Sequence, residues 1–115
     1  MASRIQNITI DQGADYAETF VAYSSKSATA AQDITNYTAN SDIRKSYYHA
    51  NSSMTFSTEI TFPTEGKVKL TANNLQTSAL APGRYVYDIN VSSGATVYRI
   101  VSGNVMVNQG ISTAL

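Results

Sequence analysis

The chain has 115 residues, the size of one domain, and no cysteine, which excludes a disulfide framework, a thiolate metal site and a cysteine nucleophile. Eight Lys and Arg balance eight Asp and Glu, and only 14% of residues are charged, so the broad basic surface that a nucleic-acid partner requires is not expected. Ser, Thr and Asn make up close to a third of the chain, giving a surface that is polar without being charged.

The N-terminal Met1–Ile5 lacks the basic segment and continuous apolar run of a secretory signal, and no stretch has the apolar length of a membrane span. The expectation is a soluble protein made in a cytoplasm. Arg4 to Asp11 alternates through Ile8 and Ile10, Gln12–Asp15 punctuates, and Tyr16 to Tyr23 resumes an extended pattern around Phe20 and Val21; two strands are expected. Ser24 to Gln32 reads as a connection. A third strand is expected from Asp33 to Ile43, and Tyr47–Ser53 as an exposed loop with two adjacent aromatics.

Met54, Phe56, Ile60 and Phe62 mark the next strand, stopped at Pro63, and Lys67–Thr71 pairs back on it as a hairpin. Ala72 to Ala81 is the one candidate helix, with Leu75, Ala79 and Leu80 at helical spacing and Pro82–Gly83 as terminator. The most informative stretch follows. Gly83–Val91, Val97–Val101 and Val105–Val107 read as three strands, with tight turns at Ser92–Gly94 and Ser102–Asn104. Alternation places Tyr85, Tyr87, Ile89 and Val91 on one face. The fold class is therefore all-β: a single immunoglobulin-like sandwich spanning 1–115, of about seven to nine antiparallel strands with one short helix near 72–80. The N-terminal residues and the tail from Asn108, with its apolar Ile111 and Leu115, are candidate docking edges or arms.

Residues for chemistry are sparse. His49 is the only histidine, with no His or Cys to share a metal or a triad, and no Gly-x-Ser-x-Gly elbow is present. Neither an enzyme nor a cofactor is expected. Asp11 and Asp15 flank Gly13 without the spacing of a calcium loop and read as turn residues. Asp88 should face opposite to Tyr87 and Ile89 and pair with Arg84 or Arg99 across strands. Asn7, Asn36, Asn51 and Asn90 match the glycosylation sequon, as chance supplies in so Asn- and Ser-rich a chain. Among the tyrosines, Tyr37, Tyr85 and Tyr87 suit the core, while Tyr47 and Tyr48, beside His49, suit contact with a partner. Zero net charge makes homo-oligomerisation unsurprising.

Taken in order, several segments resemble the small β-sandwich module of tailed-bacteriophage virion proteins, found also as the N-terminal domain of upper baseplate proteins. They are Ile8-Thr9-Ile10-Asp11-Gln12-Gly13-Ala14-Asp15-Tyr16, Asp33-Ile34-Thr35-Asn36-Tyr37-Thr38-Ala39, Ile43-Arg44-Lys45-Ser46 and Gly66-Lys67-Val68-Lys69-Leu70, followed by Leu80 to Ile89 and Arg99 to Val105. The resemblance implies a non-enzymatic virion component, made in the host bacterial cytoplasm, that docks on capsid or tail subunits as decoration or as a neck, tail or baseplate accessory. The resemblance covers the module alone and none of the large C-terminal receptor-binding region of baseplate proteins, so it does not extend to host recognition. The competing expectation is a carbohydrate-binding or adhesive module, with exposed tyrosines clustered on one face.

Overall fold

The computed structural model describes residues 4–23, 31–46 and 53–109. Among them are nine strands: β1 (Arg4–Ile5), β2 (Ile8–Asp11), β3 (Tyr16–Val21), β4 (Thr38–Arg44), β5 (Met54–Thr55), β6 (Ser57–Phe62), β7 (Lys67–Ala72), β8 (Gly83–Ser93) and β9 (Thr96–Asn108). One short helix, α1 (Asn74–Ser78), joins β7 to β8. One sheet has the order β1/β2-β9-β8-β4-β5, the other β3-β7-β6. Alternate residues of both turn inward, and the core lies between them: Ile10, Ile43, Ile89 and Val105 on one side, Phe20, Val68 and Leu70 on the other, with Ile34 and Leu80 filling in from connections. Each such side chain, fully buried, contributes roughly 1.5–3 kcal/mol.

The β8–β9 hairpin turns at Gly94–Ala95, with Ser93 opposite Thr96 and Gly94 at φ 59°. Beyond it the expected third strand is not separate. β9 runs unbroken through Ser102–Asn104, so the predicted turn there is corrected to strand interior. A glycine in a strand marks a turn, a bulge or a close backbone approach; Gly103 is the last, because a Cβ on it would collide with the Gln6 carbonyl.

Nor is every pairing antiparallel. β1 and β2 both pair parallel with β9 and share one register, Arg4 opposite Val101 and Ile8 opposite Val105. They are one edge strand interrupted at Gln6–Asn7. Its direction follows from topology: Gln12–Asp15 is a short turn into β3 of the facing sheet, which leaves the N-terminal strand beside the last one.

The opposite flank is closed. β5 continues into β6 through the single residue Phe56, whose N–H donates to Ser41 O at 3.0 Å while Thr58 Oγ1 donates to Ala39 O at 2.8 Å. The chain thus changes sheets while still alongside β4. Asp33–Tyr37 is a turn rather than the start of a strand. The Asp33 carboxylate accepts from Thr35 Oγ1 and N–H at 2.6 and 2.9 Å, which holds it below the usual carboxylate range, and Asn36 adopts φ 67°.

Candidate interaction surfaces

Two features mark the molecule as an immunoglobulin-like sandwich. Near the start of β8, Tyr85 OH donates to Ala81 O at 2.7 Å, the tyrosine corner of such domains. Two residues on, Tyr87 faces Phe20 of β3 with ring centroids 6.3 Å apart. Antibody domains bridge their sheets here with a disulfide, and this cysteine-free chain uses an aromatic pair. Tyr85 and Tyr87 are buried, and Tyr37 and Tyr98 pack on the core. The aromatic sugar platform is therefore not formed by these tyrosines. Tyr47, Tyr48, His49, Ile111 and Leu115 lie outside the described residues.

The first surface is the β1–β2 edge. At its interruption the Gln6 carbonyl turns into the sandwich over Gly103 and accepts from Tyr87 OH at 2.5 Å. That turn takes the carbonyl from its place in the parallel ladder. The Asn7 side chain substitutes, its Oδ1 accepting from Asn104 N–H at 3.0 Å. Burial, followed by the Glu18 charge, pushes the Tyr87 hydroxyl far above its ordinary value, so it stays a donor. On either side, Gln6 N–H donates to Ser102 O and Gln12 N–H to Asn108 O, both at 2.9 Å. Even-numbered residues therefore turn their backbone polar groups toward β9, and those of Thr9 and Asp11 point away from it. Among the described residues no strand pairs with that outer side. Ile5 stands on this edge at 83% exposure.

The foot of the edge is pinned. Asn73 and Gln76 form a capping box on α1, and Asp15 Oδ1 accepts from Asn74 N–H at 2.7 Å. Thr77, fully buried, accepts from Gly13 N–H at 3.2 Å and donates to Ala14 O at 2.8 Å. Gln12 Nε2 donates to Leu80 O at 2.9 Å. Asp11 instead accepts from Asn108 Nδ2 at 3.3 Å, so the two carboxylates flanking Gly13 serve separate turn contacts. Among the described residues no three His, Cys, Asp or Glu gather as a metal site.

The second surface is the outer face of the larger sheet. A concavity of about 360 Å³ is lined there by Asn40, Asp42, Arg44, Asp88, Asn90 and Arg99, among others. Asp42 and Asp88 stand directly opposite each other on β4 and β8. Arg99 Nε reaches Asp88 Oδ2 at 3.3 Å and Arg44 lies 3.9 Å from Asp42, while Thr55 Oγ1 donates to Asp42 Oδ1 at 2.8 Å. Arg99 is delivered by a β-bulge: the β8–β9 register shifts after Ile89, so Ile100 and Val101 are both buried and Arg99 falls opposite Asn90. Alternation had selected Asp88 with Arg84 or Arg99, and the partner is Arg99. The remaining polar residues escaped the sequence reading because the basin is assembled across three strands whose neighbour order is not written locally.

The fold is similar to part of InlP from Listeria monocytogenes, with a TM-score of 0.51 and 14% identity over 92% of this chain and 27% of that one. The chain thus spans about a quarter of that protein's length, and at this identity the likeness concerns fold alone. No protein-family model and no curated protein matches the chain.

Proposed function

We propose that the chain is a non-enzymatic structural module of a bacteriophage particle, docking on other particle subunits as capsid decoration or as a neck, tail or baseplate accessory. One observation carries the docking part. The β1–β2 edge is register-locked by Tyr87, Gln6 and Asn7 and pinned at its foot by Thr77, and among the described residues no strand pairs with its outer side. Neither Lys nor Pro blunts it between Arg4 and Asp11, although edges are commonly protected that way. A preformed edge of this kind accepts an extended strand from a partner, backbone to backbone. The particle context is supported by the order of sequence segments resembling phage modules, which fall on β2, β4, β7, β8 and β9 and the turns leading into them. Copies on a symmetric lattice would make a modest contact effective through avidity.

Quantitative mass spectrometry of particles of the phage encoding the chain tests the context. Copies in proportion to the major capsid protein support decoration, a small fixed number supports neck or baseplate, and absence from the particle overturns the reading. The edge is tested by Thr9→Pro, which deletes an outward N–H that no strand among the described residues pairs with. The variant should fold with an unchanged thermal midpoint and fail to bind stripped particles; undiminished binding rules out strand addition there. A carbohydrate-binding module is the second reading, favoured by the polar basin.

A further inference from the structure

The outward residues of β4 and β8 make a ladder of polar rungs: Thr38 opposite Ser92, Asn40 opposite Asn90, and Asp42 opposite Asp88. The first rung is a hydroxyl pair 2.9 Å apart. The third sets like charges directly across a sheet, which is unfavourable. Serine or threonine would serve at a water-facing position, and the chain is rich in both. Instead it keeps both carboxylates and brings an arginine to each, one of them on a bulged strand.

The outcome is a basin that is neutral in sum, with its charges matched internally. An entering anion meets two carboxylates and an entering cation two guanidinium groups. A neutral polyhydroxylated molecule meets neither penalty. Each of its hydroxyls both donates and accepts, and the basin offers carboxylate acceptors, guanidinium donors and amides of both kinds. Ser46, Ser102, Val86 and Tyr87 complete the lining, the Tyr87 ring itself being turned into the core against Phe20. The concavity lies on the outer face of a sheet and is open to solvent, so a sugar unit can lie across its rungs.

We propose that this basin binds a neutral glycan, with Asn40, Asp42, Asp88, Asn90 and Arg99 as its hydrogen-bonding residues. This deepens the carbohydrate-binding reading and is independent of strand addition at the β1–β2 edge. Among the described residues no aromatic ring turns into the basin for stacking, so single-site dissociation constants on the order of 1 mM are expected, made useful by many copies on one surface.

The test is a nitrogen-15 NMR titration of the full chain with maltotriose, chitotriose, lactose and rhamnobiose, following the backbone and the Asn40 and Asn90 side-chain amides. Shifts from at least one sugar, confined to the basin, are expected. Asn40→Ala combined with Asn90→Ala should weaken binding roughly 10-fold or more and leave the rest of the spectrum in place. Absence of shifts from all four sugars well above that concentration overturns the proposal, as do shifts centred elsewhere. Lost particle binding by the double variant without any sugar response would assign the basin to a protein partner and overturn it equally. Thr9→Pro should leave the sugar response intact, so failure of one proposal is distinguishable from failure of the other.

Discussion

A single carbonyl, that of Gln6, organises the N-terminal edge. It points inward because Gly103 leaves room for it and Tyr87 OH meets it. Gly103→Ala introduces a methyl group against that carbonyl and should cost about 1–3 kcal/mol through forced displacement of β1. Tyr87→Phe leaves the carbonyl without its donor and should cost a similar amount, about 1–3 kcal/mol. Both act at one contact, so in urea titrations the double variant should lose less than the sum. Tyr87 also sets a pH limit together with Tyr16, which is raised by burial and by its 2.5 Å hydrogen bond to Glu18. Both keep their protons in the fold beyond the point, about pH 10, at which an unfolded chain releases them. Stability is therefore full below about pH 10 and falls as pH rises above it. Urea midpoints should drop on the alkaline side, and Tyr16→Phe should flatten that loss; an unchanged slope in the variant would contradict the assignment.

At the scale of elements, α1 is too short to persist by itself, and it is held by the turn it touches. Thr77→Val removes the group that satisfies Gly13 N–H and Ala14 O and should cost about 1–3 kcal/mol. Hydrogen exchange should accelerate first in Gly13, Ala14 and α1, before the β8–β9 hairpin. The helix was legible from Pro82–Gly83 and its flanking pattern, but its buried residue was not. Leu75 suggested an apolar face, yet it is 77% exposed while Thr77 is buried, because the partner is a polar turn and not the core. Strands were legible wherever alternation ran cleanly, as in β7 and β8. Ser102–Asn104 misled because close backbone approach and chain reversal select the same glycine. The parallel pairing of β1 and β2 with β9 carries no local signal at all, being fixed by which strands the two sheets leave adjacent. Of the basin, Asp88 followed from alternation, with Arg99 one of two candidate partners that the bulge decides; Asn40, Asp42, Arg44 and Asn90 needed the strand order.

For the whole molecule, zero net charge with only 14% charged residues offers little electrostatic repulsion between copies. Light scattering should show association rising near neutral pH and receding when pH shifts in either direction gives the chain a net charge. The parallel contact of the first and last strands has a mechanical side. Tension applied at Arg4 and Asn108 pulls β1–β2 and β9 in opposite directions along their common axis, so the ladder between them is sheared and its hydrogen bonds share the load. Pulled instead from Gly83 and Asn108, at adjacent ends of β8 and β9, the hairpin would peel one bond at a time. Single-molecule stretching should find the first geometry the stronger, with Gly103→Ala lowering its rupture force. A domain strung between two anchors on a particle would then act as a tie that resists being drawn apart end to end.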